Sequence, residues 1–326
     1  MDDPLRHHGD AELGDGLLDL AVNVYDGPRP PWLDTALRDS LDDLGAYPSA
    51  RAAEAAIAAR HHRAPDEVLA TAGAAEAFSL VARLRPWRRP VVVHPQFTEP
   101  HAALEQAGHQ VTPVVSWDLT GIPEDADLVV VGNPTNPTGA LHPARRIADL
   151  ARPGRVVLVD EAFMDTVPGE TESLTRHPDL LVTRSLTKHW GIPGVRAGYL
   201  LGPAGLVAEL RRGQVPWSVS TTAAAAMIAC CTPEALVEAE RRAVEFAGWR
   251  AFLEAGLSDL GVEHLPSATS FVLARPGAGV HERLRAAGVA VRRADTFPGL
   301  DETWIRVAVR STPTTTRFLD TLRGCW

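Results

Sequence analysis

The chain has 326 residues, which is long for one core and favours a large domain with a smaller companion. Its formal net charge is −9 with no Lys/Arg block, which argues against a nucleic-acid partner; any cations for an anionic substrate must be local. Cys230, Cys231 and Cys325 form no CxxC, the N-terminus is acidic and polar, and no apolar run reaches the ~18–20 residues that span a bilayer, so a cytoplasmic protein without structural zinc or membrane contact is expected.

Residues 1–30 are loop-rich and end in YDGPRPP, which reads as an irregular N-terminal arm. A helical pattern follows through WLDTALRDSLDDL. From residue 68 short apolar runs alternate with amphipathic ones. The runs at 91–95, 127–134, 155–163, 180–186 and 196–203 read as strands, and HAALEQAG and PARRIADLAR as helices between them. Their near-continuous Val/Leu content predicts a mainly parallel sheet covered by helices on both faces. After Pro216 the pattern changes to a long helix near 233–259, then HLPSATSFVLAR, a helix at 279–287, VAVRRA, TWIRVAVR and a last helix. The expected division is an arm (1–30), a large α/β domain (31–215) and a smaller α/β domain (216–326).

Ligands of open α/β sheets bind at the carboxyl ends of the strands. Three strand ends here carry chemistry. Strand 127–131 runs into GNPTNPTG with Asn136, strand 155–159 into Asp160-Glu161-Ala162-Phe163, and strand 180–184 into Ser185-Leu186-Thr187-Lys188. A lysine can form an imine with an aldehyde cofactor, and an aspartate can keep a pyridine nitrogen protonated so that the ring becomes an electron sink. An isolated lysine is most often a surface residue. The company of Asp160 and Asn136 reverses that expectation.

GNPTNPTG, VDEAF, SLTKHWGIPGVRAGYLLGP and IRVAVR, in this order across nearly the whole chain, resemble the fold type I aminotransferase superfamily. Within it they are similar to the branch that contains histidinol-phosphate aminotransferase and L-threonine-O-3-phosphate decarboxylase. The resemblance implies a seven-stranded-type, mainly parallel sheet, pyridoxal 5′-phosphate as cofactor and a homodimer. Lys188 would bind the cofactor aldehyde and shuttle protons at the substrate Cα, with Asp160 on the pyridine nitrogen and Asn136 on O3′. Phe97 lies where the family stacks an aromatic ring, and Phe163 falls among the cofactor contacts. The backbone amides of Gly73, Ala74 and Ala75, at a helix N-terminus, would take the phosphate together with Ser185 and Arg196. Tyr47 matches a tyrosine given across the dimer interface.

The resemblance places the substrate anions on Arg306 and Arg292, whose planar forks suit carboxylate and phosphate. Arg293 points to the opposite strand face from Arg292, and Arg310 is expected to be structural. His8 and Gly9, in RHHGD, would cover the substrate phosphate. The adjacent pairs His7–His8 and His61–His62 do not converge, so no metal site is expected. Two features depart from the family. Val22 and Val24 stand where Asn residues touch substrate, leaving Asn23 to serve after a one-residue shift, and Ala74 and Ala75 replace a polar pair.

RHHGD, VPWSVS and RRADTFPGLDETWIRVAVRS resemble the decarboxylase most. The first functional expectation is therefore decarboxylation of L-threonine-O-3-phosphate, or of L-serine-O-3-phosphate, to an aminoalkanol phosphate for cobalamin biosynthesis. The alternative is a histidinol-phosphate-type aminotransferase using 2-oxoglutarate. A reading of another class, a catalytically inactive cofactor-binding regulator, is opposed by the intact Lys188, Asp160, Asn136 and Arg306.

Overall fold

Two sheets hold every strand among residues 3–325, which the computed structural model describes. Along the chain the strands are Leu18–Leu20 (β1), Val68–Ala72 (β2), Pro90–His94 (β3), Thr112–Val115 (β4), Leu128–Gly132 (β5), Val156–Asp160 (β6), Leu181–Ser185 (β7), Ala197–Leu201 (β8), Glu263–His264 (β9), Phe271–Arg275 (β10), Val289–Arg293 (β11) and Ile305–Ala308 (β12). The α-helices are Pro31–Asp39 (α1), Arg51–His61 (α2), Ala74–Leu84 (α3), Glu99–Gln106 (α4), Ala144–Ala148 (α5), Ala204–Gly213 (α6), Thr221–Ala229 (α7), Pro233–Asp259 (α8), Val280–Ala286 (α9) and Thr312–Cys325 (α10).

The larger sheet runs β2-β8-β7-β6-β5-β3-β4, and β8 alone is antiparallel to its neighbours. β3, β5, β6, β7 and β8 are buried at every position, as their continuous apolar sequences require of strands covered on both faces. Because β5, β6 and β7 run side by side and parallel, Asn136, Asp160 and Lys188 emerge at one edge.

The smaller sheet runs β1-β11-β12-β10-β9. Here the irregular reading of residues 1–30 needs correction. Leu18–Leu20 pairs in parallel with Val289–Val291, and Leu20 is fully buried among Val289, Val291 and Val307. Three residues are too few to show a period-two pattern, so only the tertiary partner makes this a strand. The helical pattern read over WLDTALRDSLDDL also stops early, at Asp39.

The 27-residue α8 begins with Thr232, whose side chain accepts from the Ala235 N–H, and with Pro233 in the first turn. Its later turns bury Phe246, Leu253 and Leu257 in the core of the smaller sheet. Among the described residues no single helix is long and apolar enough to cross a membrane.

A buried ionic network braces the turn after β6. Arg184, fully buried on β7, lies 3.0 Å from Glu161 and 3.2 Å from Asp165, and also pairs with Glu170; Arg60 donates to Asp165 at 2.6 Å. Burial pushes the Glu161 carboxyl up to about 7, against the pull of Arg184.

Candidate active site

Gly73 enters α3 from β2 with φ +76, and a Cβ there would come within 2.6 Å of Arg196 Nη2. Only glycine combines that backbone with that contact. The Gly73 N–H is not free for a ligand, however, because it donates to Thr71 O at 2.8 Å. This corrects the expected trio of amides to the Ala74 and Ala75 N–H groups, which have no backbone acceptor outside α3 and are too early in the helix to have one inside it.

Ala74 and Ala75 line a cavity of about 100 Å³ with Phe78, Phe97, Asn136, Asp160, Ala162, Phe163, Ser185, Thr187, Lys188 and Arg196. The structure thus gathers nine of the expected cofactor residues around one space. Lys188 Nζ is 3.4 Å from Ser185 Oγ and 5.3 Å from the Phe163 ring centroid. Ser185 Oγ is 2.8 Å from Thr187 Oγ1. Arg196 adopts φ +59, in the left-handed region that costs a non-glycine residue energy. It donates from Nη1 to Pro193 O at 2.9 Å and is largely exposed, so it forms an outer wall of the cavity.

The electrostatics suit an imine-forming amine. Burial lowers the Lys188 pKa; Arg196 and Arg306 act in the same sense, while Asp160 pulls it back up. Burial pushes the Asp160 carboxyl up to about 6, opposed by Lys188 and by the Ala162 N–H, which donates to Oδ1 at 3.1 Å. An acid so poorly solvated gains from a cationic hydrogen-bond partner, as a pyridinium would be. Lys188 is also the only lysine among the 32 Lys and Arg residues, a signal that motif reading passed over.

The two expected substrate arginines face each other as cross-strand partners on β11 and β12, with Arg292 1% and Arg306 5% exposed. Arg306 donates to Asn136 Oδ1 at 2.6 Å and to Ala21 O at 2.6 Å. With its amide oxygen turned inward, Asn23 accepts from Arg306 Nε at 3.1 Å and from Nη1 at 3.2 Å. Asn23 therefore reaches Arg306 although the expected Asn register is absent. Arg292 donates to Thr296 Oγ1 at 2.6 Å and to His7 O. Arg293 points away and pairs with Asp295, and Arg310 holds Val22 O, Val24 O and Asp19 O, a structural role as expected.

The N-terminal segment crosses the mouth between the sheets. His7 and His8 turn to different carboxylates: His7 Nε2 is 2.8 Å from Glu12, and His8 Nε2 is 2.6 Å from Glu99. Glu12 is bound by His281 on α9 at 3.0 Å and accepts from the Arg293 N–H on β11 at 3.3 Å. A Cβ on Gly9 would meet Ala21 O at 2.5 Å and Arg306 Nη2 at 3.3 Å, so only glycine lets the segment lie on Arg306. Tyr47, an expected cofactor residue, does not line the cavity. It is 78% exposed and stacks on Trp217 with centroids 4.5 Å apart. Phe78, Ala162 and Thr187 were not anticipated, because nothing in their local sequence marks an unremarkable helix or turn residue as a cavity wall.

This fold, with a lone, half-buried lysine and an aspartate at adjoining strand ends, defines a pyridoxal-phosphate enzyme of the aminotransferase type. The model of the family "Aminotransferase class I and II" matches residues 15–322, and the chain belongs to that family. It is 46% identical over 317 residues to a Mycobacterium tuberculosis protein named histidinol-phosphate aminotransferase, covering 94% of this chain and 87% of that one. It is 34% identical over 335 residues to the threonine-phosphate decarboxylase of Salmonella typhimurium, covering 95% and 91%. The fold matches the histidinol-phosphate aminotransferase of Sinorhizobium meliloti solved with pyridoxal-5′-phosphate, with a TM-score of 0.83, 21% identity and coverage of 93% and 89%.

Proposed function

We propose that this enzyme acts on a phosphorylated amine and that its main reaction is transamination of the histidinol-phosphate type. The 46% identity to the mycobacterial relative supports this reading and displaces decarboxylation, the first expectation from sequence, to second place. One observation keeps the second reading in play: Gly9 packs on Arg306 and His7 O takes Arg292, which suits a substrate with two anions under a covering arm.

The residues present fit the cofactor. Its phosphate would rest on the Ala74 and Ala75 N–H groups, Ser185 and Arg196; Asp160 would hold its ring nitrogen and Phe97 its face. Bound there, the cofactor supplies an electron sink for the pair released at the substrate Cα. Asn136 has its Oδ1 held by Arg306, which leaves Nδ2 to donate to O3′. Lys188 would hold the cofactor by its aldehyde carbon and is the base placed to move a proton at the substrate Cα. Its lowered pKa leaves more of it unprotonated for that task. Arg306 and Arg292 orient the substrate anion, and the residues 5–12 exclude water from above.

The surface carrying Tyr47, Trp217, Val215, Leu41, Leu44 and Ile228 exposes large apolar side chains together. We read it as the face of a homodimer in which Tyr47 completes the partner's cofactor site. We also assign the domain boundaries near residues 30 and 215, and a cytoplasmic location. The deciding experiment is a single turnover of cofactor-loaded protein with L-histidinol phosphate and, separately, L-threonine-O-3-phosphate, following carbon dioxide and the cofactor spectrum. Conversion to a pyridoxamine-type spectrum without carbon dioxide supports transamination. Carbon dioxide release with the starting spectrum restored establishes the decarboxylase instead.

A further inference from the structure

Glu99 is the first residue of α4, two positions after Phe97, and its carboxylate faces the N-terminal segment. Its Oε1 is 2.6 Å from His8 Nε2 and its Oε2 is 3.9 Å from Arg6 Nη1. The His8 hydrogen bond holds the Glu99 carboxyl below its usual range. An acid in the first turn of a helix is also favoured in its charged form.

His8 occupies a defined place between the two substrate arginines. The preceding residue gives its carbonyl to Arg292 Nη2, and the following residue lies against Arg306 Nη2. The His8 ring is 5.5 Å from that of Phe97, which lines the cofactor cavity. Its Nδ1 makes no hydrogen bond among the described residues, and the side chain is 33% exposed. An imidazole bound to a carboxylate through one nitrogen can offer only the other to a ligand, and it donates from that nitrogen when both carry a proton.

We propose that Glu99 is a positioning residue for phosphate recognition: it holds His8 by Nε2 so that Nδ1–H joins Arg292 and Arg306 as a third donor to the substrate phosphate. This rests on the reading of the substrate as phosphorylated. Glu99 is not needed as a simple tether. Arg6 donates to Gln106 Oε1 at 3.0 Å and Thr98 donates to Leu5 O at 2.6 Å, so the segment stays tied to α4 without it. Without His8, the Glu99 charge would only repel a phosphate, so its benefit must vanish when His8 is removed.

The test is steady-state kinetics of the cofactor-loaded full chain with the phosphorylated substrate that it turns over and with the unphosphorylated counterpart. Glu99→Gln should raise KM for the phosphorylated compound ~3- to 10-fold with kcat within about twofold. KM for the unphosphorylated compound should not move, and Glu99→Asp should recover part of the loss. In a His8→Ala background, Glu99→Gln should cause no further rise. An equal rise for both compounds, or a Glu99 effect that survives loss of His8, would overturn the proposal alone. A wild type with no preference for the phosphorylated compound would overturn the functional reading and the proposal together.

Discussion

Arg306 on β12 donates to Asn136 Oδ1 at 2.6 Å, so a group on the smaller sheet sets the amide of a residue at the edge of the larger one. Anion binding at Arg306 and cofactor contact at Asn136 are thereby linked. Arg306→Lys keeps the charge but loses the planar fork. We expect a KM increase of ~10- to 100-fold for the anionic substrate, together with a shift of the cofactor absorption band before any substrate is added. An unchanged band would separate Arg306 from Asn136.

Because Lys188 is the only lysine, capture of pyridoxal phosphate by borohydride reduction has a single side-chain target. Peptide mass spectrometry of the reduced wild type should find the label on Lys188. Lys188→Ala should leave no labelled side chain and lower turnover by at least ~1000-fold. A labelled α-amino group with unlabelled Lys188 would refute the assignment.

Asp160 gives a pH-dependent signature. Its folded pKa is raised from 3.8 to about 6, so in the cofactor-free protein stability is lost as pH rises through that interval. Asp160→Asn removes this dependence. Chemical denaturation of the cofactor-free forms should show the variant gaining on the wild type between pH 4 and 6, with the largest advantage above that. Its activity should nevertheless fall ~100-fold or more, because the ring nitrogen loses its charged partner.

The segment of residues 5–12 is anchored on the smaller sheet by Glu12. Burial raises the Glu12 pKa, but hydrogen bonds from His281 and His7 outweigh it and bring the value to about 2. The same hydrogen bond to Glu12 raises His281 above 6.5, against burial. The Glu12 contribution is present above 4.5 and lost as pH falls towards 2; that of His281 is present below 6.5 and lost as pH rises through its raised value. Hydrogen exchange of residues 5–12 should therefore be slowest between about pH 4.5 and 6.5, after correction for intrinsic rates. Glu12→Gln should flatten this profile, and a profile unchanged in that variant would exclude Glu12 as the anchor.

Arg184 has three carboxylate partners and no solvent contact. Arg184→Ala leaves Glu161 and Asp165 buried without that charge, at a cost of ~3–5 kcal/mol in denaturant unfolding. Arg184→Met together with Glu161→Gln should recover much of it, since the buried negative charge goes with its partner. Recovery would show that the loss comes from an unpaired charge and not from lost packing volume.

Much of this protein was legible in its sequence because the relevant forces are local. Continuous valine runs can be satisfied only by strands covered on both faces, so β3, β5, β6 and β7 were readable, and the residues that end three of those runs carry the cofactor chemistry. Thr232-Pro233 and the charge spacing behind it define a helix start wherever it occurs. Other features depend on partners far along the chain. Leu18–Leu20 is a strand only because Val289–Val291 lies beside it, and the Gly73 amide is consumed by a turn whose geometry no motif states. The separate destinations of the neighbouring His7 and His8, to Glu12 and to Glu99 across a gap of 91 residues, were set by packing alone. Sequence determines which groups the chain owns and their local periodicity; burial, and hence which charges must find one another, exists only once the two sheets close around the mouth they share.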